Sequence, residues 1–228
     1  VYIIPVLVAA VAPGAALLSY FYLKDRYQTE PIRTVVVMFL LGAFLVLPIM
    51  ALQGALVPGV NPESLWFSFG LSAGLEEFFK WFVIYFLIYK HAVFDEPYDG
   101  IVYAVAVSLG FATVENIFYA ILHYSDFSTL LYRAFLPVSG HAMFGVTMGY
   151  YLGKAKFHDK LQSFYIGLSL LAPIFYHGTF DFILAKAKVW LWLAIPLMAF
   201  LWIRSLTNVN RANARSPFRT MQEEEVKI

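Results

Sequence analysis

The sequence predicts an all-α fold: a polytopic bundle of about seven transmembrane helices forming one membrane domain. Three observations carry that expectation. Hydrophobic residues make up 61% of the chain and charged residues 14%, with a mean hydropathy of +0.69. The apolar residues fall in blocks long enough to cross a hydrocarbon core of about 30 Å, separated by short polar loops. No period of 20–50 residues repeats, and no Gly/Ser/Pro-rich linker or low-complexity tract divides the chain.

In order, the blocks place spans at about 1–23, 34–56, 65–89, 100–123, 129–152, 163–185 and 189–203. The first lacks a basic leading segment and runs into Lys24, Asp25 and Arg26 without a small-residue cleavage site, so it reads as a retained span. The seventh is short, about 15 residues, and is expected to be tilted or half-buried. Pro48, Pro137, Pro173 and Pro196 fall inside spans, where a missing amide proton kinks a helix and opens access between neighbours. The domain is therefore expected to cover 1–203. Residues 204–228 are polar, with Arg211, Arg215 and Arg219 ahead of Glu223, Glu224 and Glu225, and read as a flexible cytoplasmic tail.

Charge sets the orientation. If spans alternate, the loops Lys24–Arg33, Lys90–Asp99 and Lys154–Gln162 share one side with the tail from Arg204 and hold 12 Lys or Arg. The opposite side holds three: Arg133, Lys186 and Lys188. The basic side is cytoplasmic by the positive-inside rule, which puts the N-terminus outside and the C-terminus inside a cell membrane. The formal charge of +1 argues against nucleic acid as a partner. With no cysteine in the chain, disulfides, thiol nucleophiles and thiolate metal sites are excluded, so any metal must be held by histidine and carboxylate.

The informative residues are those that hydrocarbon should reject. Span three carries Glu76, Glu77 and Lys80 near its middle, each costing several kcal/mol to insert, on the order of 3. Glu76 and Lys80 stand one turn apart and are expected to pair, leaving Glu77 without a local partner. A structural ion-pair cluster would explain some of this, but two acids for one lysine is an odd way to join helices. Span four adds Glu115, with no basic residue within a turn. Span five adds His141 among the small residues Ser139, Gly140 and Gly145, which let another chain come close. Span six adds His177 and Asp181 at i and i+4, so that the carboxylate can orient the imidazole or share a ligand with it. Singly, Glu115 or His141 is as easily a packing residue. Asp99, before Gly100, reads as an N-cap of span four, and Asp95 and Glu96 read as structural loop residues. His91, His123 and His158 lie at span ends or in a loop, outside the candidate site.

Depth joins these residues. At about 1.5 Å per residue, Glu76 and Glu77 lie about 15–17 Å from the external end of their span, Glu115 about 13 Å, His141 about 16 Å and His177 about 13 Å. Four helices thus deliver acids and imidazoles to one layer, which predicts a common cavity slightly to the external side of centre. Carboxylates and histidines activate water by removing its proton or by holding zinc, and both routes lead to hydrolysis. No serine stands in a nucleophile-elbow pattern and His-Glu-x-x-His is absent, so water is the expected nucleophile. Glu76, Glu115, His141 and His177 are the candidate zinc ligands. Two further readings fit buried charge: a proton- or ion-coupled transporter, against which stand the odd span count and the lack of an inverted repeat, and a non-catalytic membrane scaffold, which needs no such cluster.

The same residues resemble a known family. Ala12-Pro13-Gly14 with the following Leu-Ser-Tyr-Phe-Tyr-Leu-Lys-Asp, Glu76-Glu77-x-x-Lys80, Phe94-Asp95-Glu96-x-x-Asp99-Gly100-Ile101-Val102-Tyr103, Ser108-Leu109-Gly110-Phe111-Ala112-Thr113-x-Glu115-Asn116, Leu136-Pro137-Val138-Ser139-x-His141-Ala142 and His177-Gly178-x-x-Asp181-Phe182-Ile183-Leu184 are similar to motifs of the PrsW membrane proteases. These are distant relatives of the type II CAAX prenyl endopeptidases. Lys80 stands one position before the Arg of the wider superfamily, Glu115 replaces a His after Phe111, and Asp181 replaces an Asn, departures that count against a prenyl-protein endopeptidase. The resemblance implies an intramembrane endopeptidase making the site-1 cut in the extracytoplasmic part of an RsiW-like single-span anti-sigma factor, and so activating an envelope-stress sigma factor. In that scheme Glu76 or Glu77 activates water, while His141 and His177 bind zinc or stabilise the oxyanion. Asp181 orients His177, and Glu115 is a ligand or proton carrier.

Overall fold

The computed structural model describes residues 3–122, 127–186, 188 and 190–219. Its α-helices over these residues, joined by short loops, are α1 (Ile3–Leu23), α2 (Ile32–Leu56), α3 (Ala73–Leu87), α4 (Asp99–Leu122), α5 (Phe127–Arg133), α6 (Ser139–Lys156), α7 (Gln162–Lys186) and α8 (Trp190–Asn213), and no strand is present among the described residues. Five of these, α1, α2, α4, α7 and α8, are individually long and apolar enough to cross a bilayer. The third and fifth expected spans are composite. A π-helical segment, Trp66–Ser72, runs into α3. Likewise α5 passes through the π-helical Ala134–Val138, which contains Pro137, into α6. A π-helical turn gives Pro137 a wider loop of backbone, whereas Pro13, Pro48, Pro173 and Pro196 lie inside α-helices; π-helical segments often sit beside functional residues.

The core is α4. Every residue from Asp99 to Thr113 is buried, because α1, α2 and α6 pack around it. Lipid tails are as apolar as leucine, so helices in a bilayer gain by close backbone approach at small residues. Here a Cβ on Gly149 of α6 would collide with the carbonyl of Gly100, and one on Gly42 of α2 with the carbonyl of Val107. α7 packs on α6 and α3. The outer faces present Phe44, Phe82, Phe86, Phe175, Trp192 and Ile203, the surface a bilayer would cover.

The last helix departs from the short seventh span. α8 continues past Ile203 to Asn213, burying Ser205, Asn208, Val209, Ala212 and Asn213. Asn213 Nδ2 donates to the Lys24 carbonyl at 3.2 Å, and its Oδ1 accepts the Arg26 amide at 3.3 Å. Hydropathy ends where the membrane would end, but the helix goes on because its polar face packs on the loop after α1. Residues 220–228 of the expected tail, with Glu223, Glu224 and Glu225, and also His123, lie outside the described residues.

Candidate functional site

Helical spacing puts Glu76, Glu77 and Lys80 on the inward face of α3, and all three are buried. The pairing differs from the expected one. Lys80 Nζ stands 2.9 Å from Glu77 Oε1 and 3.5 Å from Glu76 Oε2, so Glu77 is the closer partner. Both i+3 and i+4 neighbours share a helix face, and sequence spacing alone does not choose between them. Lys80 also donates to His141 Nδ1 at 3.1 Å and stands 4.1 Å from the centre of the Phe111 ring.

The other ring nitrogen of His141, Nε2, lies 3.1 Å from Glu115 Oε2, so the imidazole bridges Lys80 and Glu115. His177 is held the other way round. Its Nδ1 lies 2.9 Å from Glu77 Oε1, and its Nε2 faces Asp181 Oδ2 at 3.5 Å and Glu76 Oε2 at 4.0 Å. A carboxylate that fixes one imidazole nitrogen fixes the direction in which the other points. Glu77 therefore orients His177 more closely than Asp181 does; Asp181 instead accepts the Ser72 hydroxyl at 2.6 Å. The two imidazoles are perpendicular, 5.0 Å apart, and Phe144 stacks on His177 at 4.8 Å.

All seven residues singled out in the sequence thus meet in one place, together with three that were not. Arg133, counted above only as an external basic residue, reaches back from α5 to Glu115 Oε1 at 3.1 Å and to Asn116 Oδ1 at 2.7 Å. Ser72 holds Asp181. Gln53 of α2 donates to the Leu71 carbonyl at 3.1 Å and to Glu76 Oε1 at 3.3 Å. A polar Gln53 in an apolar span is the one signal that could have marked it.

The network surrounds a chamber of about 130 Å³ lined by Ser72, Glu76, Glu115, Arg133, His141, His177, Asp181 and the apolar Pro137, Phe144, Phe180 and Leu184. Glu77 and Lys80 are not in its wall. Two larger cavities adjoin it. One, of about 370 Å³, shares Ser72 and Glu76 and runs between α2 and the π-helical segment along Gln53, Val57, Phe67 and Leu71. The other, of about 480 Å³, shares Arg133, Pro137 and Leu184 and reaches Tyr132, Trp190 and Leu191.

The donor set suits a metal of zinc type: two imidazoles and two carboxylates, Glu76, Glu77, His141 and His177, bring one ligand atom each within 4.8 Å of one another. The point between Glu76, Glu77 and His141 is taken by the Lys80 ammonium, so the open side of the set is the chamber, which His141, His177 and Glu115 line. Two imidazoles with carboxylates are the chemistry of a catalytic zinc site, and the Glu76, Glu77, His141 and His177 donor set fits such an ion, with Glu115 beside it in the chamber wall.

Residues 30–204 match the family described as PrsW family intramembrane metalloprotease. The chain is 50% identical over 205 residues to Protease PrsW of Geobacillus kaustophilus (strain HTA426), with 90% of each chain covered. It is 49% identical over 208 residues to Protease PrsW of Bacillus subtilis (strain 168), covering 90% of this chain and 94% of that one. It is 34% identical over 198 residues to Protease PrsW of Clostridioides difficile (strain 630), at 82% and 83% coverage. No solved structure matches.

Proposed function

Since this chain belongs to the PrsW family of intramembrane metalloproteases, we propose that its chamber hydrolyses a peptide bond of a single-span membrane protein, with Glu76 activating the water. The observation that carries this is the position of Glu76. It is the one carboxylate that lines both the chamber and the groove beside α2, whereas Glu77 is fully buried behind it and bound to Lys80 and His177.

In this reading Glu76 takes a proton from a water whose oxygen attacks the scissile carbonyl carbon. Arg133, at the chamber wall, stabilises the oxyanion that forms, and Glu76 returns the proton to the departing amide nitrogen as the C–N bond breaks. Glu77 and Lys80 are positioning residues that set the two imidazole rings. The groups that would hold a zinc ion are His141, His177 and Glu115, and the ion would supply a Lewis acid that polarises the carbonyl and acidifies water. Asp181, tied by Ser72, fixes the outer edge of His177.

The substrate we propose is an RsiW-like anti-sigma factor, cut in its extracytoplasmic juxtamembrane part as the site-1 step of envelope-stress signalling. Two features support it. The adjoining cavities give an extended strand a way in from α2 and out past Arg133. The excess of Lys and Arg in the alternate loops and the tail supports, by the positive-inside rule, an outside N-terminus, a cytoplasmic tail after α8 and a chamber nearer the external surface of a cell membrane.

The test is cleavage of a reconstituted single-span RsiW-like substrate, with and without a chelator that reaches the membrane site. Cleavage lost on zinc removal and restored on its return supports the ligand set. Cleavage that persists without metal removes zinc and leaves Glu76. No cleavage of a verified substrate under either condition overturns the substrate assignment.

A further inference from the structure

A second buried group of acids lies at the other end of α4, where the loops after α1 and α3 meet. Asp25, Glu96 and Asp99 each present one carboxylate oxygen within 4.8 Å of the others. Asp25 is 7% exposed, and Glu96 and Asp99 are fully buried. Both oxygens of Asp25, both of Glu96 and Oδ1 of Asp99 accept no hydrogen bond of ordinary geometry; the nearby donors are the Tyr27 and Gln28 amides facing Asp25 and the Ser216 hydroxyl facing Glu96. Asp99 Oδ2 accepts the amides of Asp95 and Glu96, each at 2.7 Å. It therefore folds the loop before α4 instead of capping the helix, a correction to the sequence reading. Glu30 completes the rim, held by the Tyr103 hydroxyl.

Among the described residues, none of these four acids has a Lys or Arg within ion-pair distance. Lys156, from α6, points its ammonium at the carbonyls of Tyr89 and His91 instead. Buried carboxylate oxygens without a donor cost free energy unless a proton or a cation meets them. Burial pushes Asp25 up to about 6 and Glu96 up to about 7, the response of acids crowded in a dry pocket. An all-oxygen set with no imidazole or thiol selects hard ions and disfavours zinc.

We propose that Asp25, Glu96 and Asp99 bind one hard divalent cation, Mg²⁺ or Ca²⁺, at a site separate from the hydrolytic chamber. The ion would fasten the loop after α1 to the loop before α4. Its position also bears on α8, since Asn213 holds Lys24 and Arg26 on either side of Asp25. The role is structural and distinct from peptide hydrolysis.

The test uses the full-length protein in detergent, stripped with EDTA and returned to a fixed zinc level, then titrated separately with MgCl₂ and CaCl₂. Calorimetry reads stoichiometry and thermal unfolding reads Tm. The expected result is one equivalent of one of the two ions bound, with a rise in Tm; whichever binds more tightly is the resident. The double substitution Asp25→Asn with Glu96→Gln removes two of the three carboxylates without changing the cluster's shape, and should weaken binding by at least about tenfold and abolish the Tm shift. Glu76→Gln, in the chamber, should leave both intact. Absence of binding by either ion at millimolar concentration, binding that survives the double substitution, or binding lost in Glu76→Gln would each overturn the site.

Discussion

The two buried acid clusters of this protein sit about 24 Å apart along α4, at Asp99 and Glu115, and solve the same problem in opposite ways. Within the bilayer, Glu76 and Glu77 share Lys80, Glu115 has Arg133 and His141, and Asp181 has Ser72 and His177. In the loops, Asp25, Glu96 and Asp99 leave five oxygens without a hydrogen bond of ordinary geometry. Where hydrocarbon forbids bare charge, the chain supplies its own cations and donors. Nearer the surface, where ions can reach, it does not. A network in which every carboxylate meets a cation or donor, with Glu77 Oε2 the one oxygen of its acids left open among the described residues, can aim a reactive group; one with five open oxygens selects a ligand from outside.

Breaking the inner network should have the largest effect. Lys80→Met leaves two carboxylates facing each other, and removing one partner of a buried ion pair costs about 3–5 kcal/mol; the unfolding midpoint in detergent should fall accordingly. A midpoint equal to wild type would mean that the inner acids do not depend on Lys80. Arg133→Gln removes the chamber's own cation while sparing the α3 cluster. Turnover should drop about 10²-fold with the fold kept, and unchanged turnover would take Arg133 out of the reaction.

Smaller effects sharpen the contrast. Gln53→Ala deletes one neutral donor to Glu76 and to the Leu71 carbonyl, at about 0.5–1.5 kcal/mol, so a loss of turnover of a few-fold at most is expected. Asp25→Asn should change cleavage least of all, by less than about twofold, because sites this far apart with no shared partner act independently. A large loss of cleavage in Asp25→Asn would join the two clusters into one functional unit.

How much of this was readable in advance follows from the range of each interaction. Blocks of apolar residues set by the bilayer thickness located the five helices long and apolar enough to cross a membrane, α1, α2, α4, α7 and α8, and the two composite helical segments, because that constraint is local in sequence. Charged residues inside them marked Glu76, Glu77, Lys80, Glu115, His141, His177 and Asp181, because nothing else in hydrocarbon resembles them. The partners were harder. Arg133 ends a short helix that runs through the π-helical turn at Pro137 into α6, and its contact with Glu115 joins residues 18 apart in sequence on two different helices. Choosing Glu77 over Glu76 as the closer partner of Lys80 needs the rotamers, since i+3 and i+4 are both allowed. Asp25 and Glu96 come from two loops distant in sequence, and no periodicity links residues that meet only when both loops fold onto the end of α4. The end of α8 was missed for a related reason: hydropathy reports the membrane, and polar packing carried the helix beyond it.

The most direct measurement compares Glu76→Gln with wild type in one preparation, reading cleavage of the reconstituted single-span substrate together with bound zinc. If Glu76 activates water and His141, His177 and Glu115 hold the ion, the substituted protein keeps its fold and its zinc while turnover falls by about 10²–10⁴-fold. Turnover near the wild-type rate would contradict the role of Glu76, and zinc lost together with turnover would make Glu76 a ligand instead.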